Sequence, residues 1–415
     1  MDPVPLAEED KAILRLESDT VAGHVCKVVV GAGPADLDAL RARVAEGLTA
    51  APLLTCRLGG DGGTAAWVPS DGFDPGDHVR AAPSPHPIPR AALPAAVARV
   101  FEQHLDRSRP LWAIDAFELE GGGSALVWRI HHALADGTAA MRYARLLLWD
   151  PEPDRPADSG KHPHQAAVDD HRRRHHLAGF IGREFAEDRH RSPFDGRIGR
   201  RREIALASTP LGPLHDAAKS LCGATLNDAV LSVVAGALGR WIEATYGALE
   251  SLRVKVPVSL HREGDDAGNR DSFFSLSLPV NERDPGRRLA AIHADTSARK
   301  AEHDAETMDS LLHGLDRLSP RLEAFAKRVV RNPRRFAVNV SNVPGPRRPV
   351  AVLGAPVEEL HSIAEIGRRH ALRISVVSLC ESLQFGFCAD PAIVENVGAM
   401  GAGVEAEAQA LVNAA

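Results

Sequence analysis

The seven residues from His131 to Gly137, with the sequence HHALADG, are the group best suited to acid–base chemistry. A histidine at the end of a strand titrates near neutral pH and can accept a proton from a hydroxyl group, as a general base does. Asp136 stands four residues after the second histidine, where it suits a helix N-cap or can hold a neighbouring cation. The segment therefore predicts a proton-accepting site, and the alternative is a buried histidine pair that only ends a strand.

The elements on either side of this motif must hold its side chains in place. The pattern of apolar residues predicts a strand over 125–130 and a helix over 138–149, which Asp150 and Pro151 end. Side chains at such a strand-to-helix junction project from a rigid support into a site lined by loops. Gly137, which lies at the junction, leaves room for a long ligand to pass.

Signatures of other catalytic classes are missing from the sequence. The chain contains no Gly-x-Ser-x-Gly elbow, no Gly-x-x-x-x-Gly-Lys loop and no His-Glu-x-x-His zinc motif. A glycine-rich run at 60–65 precedes a predicted strand rather than a helix, which excludes a dinucleotide-binding loop. Five histidines in the middle of the chain lack the fixed spacing of metal ligands: His162, His164, His171, His175 and His176. We therefore expect no metal site and no bound cofactor.

Composition and charge place the chain among ordinary globular proteins. It has 415 residues, 44% hydrophobic and 25% charged, which excludes collagen, disulfide-stapled mini-proteins and wholesale disorder. Within the first 19 residues six acids face Lys11 and Arg15, which is the wrong sign for a signal or transit peptide. The five cysteines form no Cys-x-x-Cys pair, and no apolar run reaches the roughly 18 residues that span a membrane. These features predict a cytoplasmic protein.

Two regions with alternating helix and strand patterns are separated by a polar stretch rich in proline, histidine and arginine. The sequence thus predicts an N-terminal domain at 1–150, a crossover linker at 151–205 and a C-terminal domain at 206–415. In the C-terminal domain we expect a long helix over 226–246 and strands over 252–258, 273–280, 336–340, 372–379 and 383–387.

Several segments of the chain resemble the motifs of a known family. HHALADG is similar to the HHxxxDG motif of the acyltransferases that use CoA or carrier-protein thioesters. More narrowly, the chain resembles the bacterial wax ester synthase/acyl-CoA:diacylglycerol acyltransferases. Four further segments carry this resemblance in the family's order: Arg109-Pro110-Leu111-Trp112, Thr225-Leu226-Asn227-Asp228, Val256 to Leu260 with Gly268 and Asn269, and Asn339 to Pro346. The resemblance covers nearly the whole chain.

The resemblance implies a fold and a mechanism. The fold is α/β (α+β), with two chloramphenicol-acetyltransferase-like domains and the active site at their interface. His132 would deprotonate an alcohol, which attacks the thioester carbonyl of an acyl-CoA without a covalent enzyme intermediate. His131 would support the base and Asp136 would have a structural role, which completes the catalytic set.

The resemblance also implies the substrates and the residues that contact them. Acyl-CoA would be a substrate rather than a cofactor, and the acceptor would be a hydrophobic alcohol or a diacylglycerol, giving a wax ester or triacylglycerol. No nucleic-acid partner is expected. The substrate-binding set comprises Gly137, Asn227, Asp228, Pro110, Trp112, Asn342 and Gly345. The alternatives are helix capping for Asn227 and Asp228, packing for Pro110 and Trp112, and a tight turn for the last two.

The charge of the chain is uneven along its length. The net charge is −6, yet residues 171–202 contain ten arginines and four acids. Such a basic stretch predicts peripheral association with a membrane or lipid droplet, and the alternative is a solvated linker.

Two other functions remain open from the sequence. One is a condensation-like acyltransferase of secondary metabolism that uses a carrier-protein thioester or a non-lipid acceptor. The other is a non-catalytic lipid-surface protein, which the intact HHALADG argues against. His261 and Arg262 replace the family's usual continuation after Val256 to Leu260, which leaves the preferred acceptor open.

Overall fold

A computed structural model describes residues 2–60, 64–84, 86–151, 192–259, 271–301 and 336–415. The chain forms two compact units. Unit 1 consists of Met1–Asp150, Gly196–Pro213 and Ser341–Ala406, and unit 2 consists of Pro151–Asp195, Leu214–Val340 and Glu407–Ala415. The units therefore depart from the sequential division predicted above, because residues 341–406 belong with the N-terminal part of the chain.

Helices and strands alternate along the described residues, as the sequence predicts. The first 150 residues contain β1 (Val4–Pro5), α1 (Glu8–Leu14), β2 (His24–Gly31), α2 (Leu37–Leu48), β3 (Cys56–Gly59), β4 (Ala66–Pro69), β5 (Val79–Ala81), α3 (Leu93–Phe101), β6 (Trp112–Glu118), β7 (Ser124–His131) and α4 (Gly137–Leu147). The middle contains β8 (Glu203–Pro210), α5 (Leu211–Cys222), α6 (Leu226–Thr245), β9 (Leu252–Ser259), β10 (Asp271–Leu278) and α7 (Pro285–Ala301). The end contains β11 (Val338–Val343), β12 (Ala351–Val352), β13 (Ala355–Ala364), β14 (Leu372–Leu379), β15 (Ser382–Ala389) and α8 (Gly398–Asn413).

The main sheet of unit 1 has the strand order β12-β13-β2-β7-β6-β5. β13, β2, β7 and β6 are antiparallel neighbours, and β5 runs parallel to β6. The β2–β7 register pairs His24 with His131, which fixes the end of β7 beside the start of β2. The pairing of β13 with β2 is the reason why the C-terminal residues 341–406 join unit 1.

One face of this sheet is covered by α2 and α4. Strand side chains alternate between the two faces, so Val25, Val29 and Trp128 point to the same side and are fully buried there. Leu40 and Val44 of α2 belong to the same apolar core, at the helical spacing that the sequence shows. Residues of β7 and α4 both belong to this core, which holds the junction between the two elements in place.

Unit 2 is organised around α6 and the strands β9, β10 and β11. β9 is antiparallel to β10 and parallel to β11. α6 is buried along nearly its whole length, and it matches the helix predicted over 226–246. Gly239 is required in it, because a Cβ atom there would lie 2.1 Å from the carbonyl oxygen of Val280.

The α/β class and the likeness to a two-domain fold are confirmed by the topology and by the structural comparisons reported below. The expectation that the active site lies at the interface of the domains stays a prediction. The histidine-rich part of the predicted linker, residues 162–176, lies outside the described residues, as do His261, Arg262, Gly268 and Asn269.

Candidate active site

The HHALADG segment connects the last residue of β7 to the first turn of α4. β7 ends at His131, and α4 begins at Gly137 with Asp136 as its N-cap. The buried Asp136 carboxylate accepts a hydrogen bond of 2.7 Å from the backbone N–H of Ala139, which satisfies one of the free amides of the first turn. The structural role expected of Asp136 is thus present in its local geometry.

His131 is held on both ring nitrogens. Its Nδ1 accepts a hydrogen bond of 3.1 Å from the backbone N–H of Ala133, so the ring proton lies on Nε2. Nε2 lies 3.3 Å from Oε2 of Glu17. Burial alone would raise the pKa of Glu17, but the hydrogen bonds from His131 and Arg107 outweigh burial and lower this pKa. Both ring nitrogens of His131 therefore have a partner, which leaves neither free to accept a proton; its supporting role stays a prediction.

Gly23, directly before β2, contacts both histidines. Its carbonyl oxygen accepts a hydrogen bond of 2.9 Å from the backbone N–H of His132. A Cβ atom at Gly23 would lie 2.6 Å from Nε2 of His131, and the residue has a φ of +72°, which favours glycine. Neither Gly23 nor Glu17 was found from the sequence. The only signal was the β2–β7 register, which the sequence alone does not provide.

His132 is the half-buried histidine of the pair and has the properties of a base. Burial and, to a smaller extent, the positive charge of Arg373 on β14 lower its pKa to about 4, although Asp136 acts in the opposite direction. The imidazole of His132 is therefore neutral at physiological pH and able to accept a proton. Arg373 is a third residue of the site that sequence reasoning missed, since it lies 241 positions along the chain from His132.

Val343, in the segment from Asn339 to Pro346, lies against the start of α4. A Cβ atom at Gly137 would lie 3.2 Å from Cγ2 of Val343, which is closer than ordinary van der Waals contact. Gly345 approaches β14 closely: its N–H donates to Oγ of Ser378 at 3.0 Å, and a Cβ atom would lie 2.0 Å from the carbonyl oxygen of Ser378. The structure thus brings Asn342, Gly345 and Gly137 to one end of unit 1, and their contact with substrate stays a prediction.

Pro110 and Trp112 support the strand that carries the histidines. Both are buried, and the indole N–H of Trp112 donates to the carbonyl oxygen of Leu54 at 2.7 Å. Between them, the carbonyl oxygen of Leu111 accepts a hydrogen bond of 2.9 Å from the backbone N–H of His131. These contacts agree with the packing alternative, and a direct contact with substrate stays a prediction.

Asp228 in unit 2 is fully buried in a network of its own. It forms a capping box with Thr225 at the start of α6. Its oxygens also accept hydrogen bonds from Oγ1 of Thr296 at 2.7 Å and from Nδ1 of His293 at 2.9 Å. Burial raises the pKa of Asp228, and these hydrogen bonds together lower it below its ordinary value. The capping alternative is present here, and contact of Asn227 or Asp228 with substrate stays a prediction.

Part of the basic stretch is committed to ion pairs. Arg202 is 6% exposed and pairs with Glu365, so it is not available to a lipid surface. We therefore exclude it from the arginines predicted to contact a membrane or lipid droplet. Arg200 and Arg201 are exposed and pair with Asp19 and Glu102. The arginines at 172–191 lie outside the described residues.

Among the residues that the structure describes, no group of three or more His, Cys, Asp and Glu side chains is arranged to bind a metal. Within the same residues no single helix has both the length and the apolar composition to cross a membrane; α5 and α6 meet that criterion only as a pair bent by 98°.

This chain is similar to known proteins in sequence and in fold. The model of the wax ester synthase/diacylglycerol acyltransferase catalytic domain matches residues 6–187, and the model of the C-terminal domain of the same proteins matches residues 267–411. A Mycobacterium tuberculosis protein assigned a diacylglycerol O-acyltransferase name is 30% identical over 398 residues, covering 84% of this chain and 82% of that protein. The O-acyltransferase WSD of Acinetobacter baylyi is 27% identical, and each chain is covered to 78%.

Solved structures extend the likeness to the fold. The wax ester synthase/diacylglycerol acyltransferase from Marinobacter aquaeolei VT8 has a TM-score of 0.73 and 25% identity, with 99% of this chain and 100% of that chain covered. The first condensation domain of the calcium-dependent antibiotic synthetase has a TM-score of 0.63 and 20% identity, covering 99% and 96%. At that identity the second likeness concerns the fold alone.

Proposed function

The chain belongs to the wax ester synthase/diacylglycerol acyltransferase family of O-acyltransferases, and on that basis we propose that it moves a fatty acyl group from acyl-CoA to a long-chain alcohol or a diacylglycerol. The products are a wax ester or a triacylglycerol. The observation that carries the proposal is the neutral, half-buried imidazole of His132 beside the fully bonded ring of His131.

His132 is the general base of the proposed reaction. It takes the proton from the acceptor hydroxyl as the alcohol oxygen forms a bond with the thioester carbonyl carbon. The bond between this carbon and sulfur then breaks, and the CoA thiolate takes the proton from the His132 imidazolium. The ester and free CoA leave, and the imidazole is neutral again. This sequence needs no electron transfer, so we propose acyl-CoA as a substrate and no bound cofactor.

The other residues of the motif position this base. His131 is fixed by Ala133 and Glu17, and its backbone N–H is bonded to Leu111, so the strand end that presents His132 is rigid. Asp136 anchors the start of α4. Gly137 lets α4 start close to Val343, since a Cβ atom there would lie only 3.2 Å from Cγ2 of Val343.

Transfer activity with a panel of acceptors tests the proposal. Palmitoyl-CoA is incubated with hexadecanol, with a diacylglycerol or with non-lipid alcohols, and the free CoA thiol is measured. We expect release with the first two acceptors and a loss of about 10²–10⁴-fold for His132→Ala, with the melting temperature retained. A variant that keeps more than about a tenth of wild-type turnover would contradict the role of His132. Release only with non-lipid acceptors would favour the condensation-like alternative, and release with none a non-catalytic protein.

We also propose that the protein associates peripherally with a membrane or lipid droplet. The support is the insolubility of the proposed products together with the arginines from Arg172 to Arg201, since among the described arginines the structure excludes only Arg202. Each lysine or arginine near an anionic surface contributes about 1 kcal/mol, and salt screens this contribution. We expect co-sedimentation with anionic liposomes at low salt, weakened by replacing Arg172, Arg173 and Arg174 with serine. Unchanged binding of this variant, or no binding at any salt concentration, would mean that the basic segment is only a solvated linker.

A further inference from the structure

Residues 17–23, here called the support segment, link α1 to β2 and contact both histidines of the motif. At one end, the Glu17 carboxylate faces Nε2 of His131 at 3.3 Å. At the other end, the Gly23 carbonyl oxygen accepts the backbone N–H of His132 at 2.9 Å. The position of this segment therefore determines the position of the proposed base and of its neighbour.

A buried ion pair holds the middle of the support segment. Arg202, just before β8, and Glu365, just after β13, are 6% and 8% exposed, and their Nε and Oε1 atoms are 2.8 Å apart. The other carboxylate oxygen of Glu365 accepts the backbone N–H of Ala22 at 3.0 Å. The Arg202 guanidinium also donates to the carbonyl oxygen of Thr20. One ion pair thus bonds the backbone of the support segment at two places.

The geometry of the Arg202 guanidinium allows it to bond the ion-pair partner and the support segment together. Its fork presents several donors in fixed directions, so that Arg202 can bond Glu365 and Thr20 at once. A second basic residue nearby has no such role: Arg200 reaches Asp19 at 3.3 Å, but both side chains are largely exposed to solvent. Exposed pairs of this kind contribute little. Arg200 is therefore a matched control for Arg202.

We propose that Arg202 and Glu365 are positioning residues for the acyl transfer, acting on His132 through the support segment. Their hydrogen bonds to Thr20 and Ala22 keep the Gly23 carbonyl in place, and that carbonyl holds the His132 backbone. A displacement of about 1 Å at a reacting group can cost about 10²-fold in rate, so a small shift of the segment is sufficient to slow transfer. This inference rests on the proposed function of His132.

The competing interpretation is that the ion pair only stabilises the fold. Removing one partner entirely would leave a buried charge unpaired and strongly destabilise the fold, so such single variants do not separate the two interpretations. Replacing both partners by apolar residues of similar size is often neutral for stability. The double variant Arg202→Met/Glu365→Leu therefore removes the hydrogen bonds to the support segment without leaving an unpaired buried charge.

The decisive measurement is kcat, KM and melting temperature for this double variant, with Arg200→Met as the control. We expect the double variant to stay folded, with kcat about 10–100-fold lower and KM for acyl-CoA changed by less than about threefold. The control should match the wild type. A folded double variant with wild-type kcat would overturn the proposal. If the double variant does not fold, Arg202→Lys decides, because an ammonium group retains the charge but lacks the fork; wild-type kcat there would also overturn it.

Two further readouts locate the effect. In a His132→Ala background, the double replacement should cause no additional loss of residual turnover if it acts through His132; a full second loss would contradict this. Hydrogen exchange is independent of activity: the amide of His132, bonded to Gly23, should exchange faster in the double variant. If the wild type transfers acyl groups to no acceptor, the proposed function fails, and unchanged exchange at His132 would separately refute the positioning role.

Discussion

Two adjacent histidines acquire different roles from their hydrogen-bond partners. His131 gives one nitrogen to the Ala133 amide and the other to Glu17, whereas His132 has its backbone held by Gly23 and its ring under the influence of Arg373. A ring that is bonded on both sides is rigid but cannot accept a proton in the reaction. The proposed mechanism therefore assigns support to the fixed ring of His131 and proton transfer to the ring of His132.

The pH dependence of transfer follows from the environment of His132. Its pKa is lowered to about 4, so the base is neutral and active over the neutral range and is lost only in acid. Arg373→Met removes a positive charge that opposes protonation of His132. The pKa of His132 then moves up toward its ordinary value, and the acid limb of the kcat/KM profile moves to higher pH.

The measurement is the pH profile of kcat/KM for wild type and variant, with the exposed Arg368→Met as control. Arg368 should leave the acid limb in place. An acid limb that is the same in Arg373→Met and wild type would show that Arg373 does not act on His132.

Residues of the site that are close in sequence could be predicted, and those that are distant could not. The pattern from His131 to Gly137 predicted the proposed base and its neighbour, and it also predicted Asp136 as a helix N-cap, where the structure places it. Glu17 and Gly23 reach the same place only because β2 pairs with β7, and a single sequence does not specify that register. Arg373 required in addition the position of β14.

At the scale of elements, α4 depends on the residue that caps it. Asp136→Asn keeps a side-chain oxygen for the Ala139 N–H, so capping alone predicts a loss well below the ~1 kcal/mol typical of an alanine replacement. The carboxylate is also the negative charge that favours protonation of the buried Lys27. We therefore expect a larger loss of stability, seen as a lower melting temperature, together with reduced activity. An unchanged melting temperature with abolished activity would instead make Asp136 a direct partner of His132.

Elements whose apolar residues recur at a regular spacing were predicted well, and elements without such a spacing were missed. α6 was predicted over 226–246 and spans Leu226–Thr245, because its large apolar residues recur at helical spacing in the sequence. β13 was missed although it is ten residues long. Its sequence APVEELHSIA mixes charged and apolar residues, since its first half is partly exposed and only its second half is buried. A strand whose burial changes along its length has no single alternation to detect.

At the scale of the whole molecule, the chain order does not define the units. The sequence suggested a break near residue 150 and one continuous C-terminal domain, yet β13 returns to pair with β2. Such a return is invisible in composition, because nothing in the sequence of either strand indicates which strand it pairs with. It has a chemical consequence: the pairing places Ser362 directly opposite Lys27 within an otherwise apolar face.

Lys27 is a fully buried amine, and its ionisation links the stability of the molecule to pH. Its Nζ donates to Oγ of Ser362 at 2.9 Å, and burial lowers its pKa to about 8 from an ordinary value of 10.5. Below pH 8 the amine is charged in both the folded and unfolded states, and the folded state carries the cost of the buried charge. Between pH 8 and 10.5 the unfolded state binds more protons, so the free energy of unfolding rises with pH and the cost disappears.

Lys27→Met removes this cost. At about 1.4 kcal/mol per unit of pKa, offset by about 1 kcal/mol for the lost hydrogen bond to Ser362, we expect a gain of about 2 kcal/mol at pH 7. Urea unfolding at pH 7 and at pH 10 measures it: the advantage of the variant should shrink at the higher pH, because the wild type has then largely lost its buried charge. The exposed Lys219→Met should show no such difference. A Lys27→Met variant that is less stable than the wild type at pH 7 would mean that the buried ammonium contributes net stabilisation to the folded state.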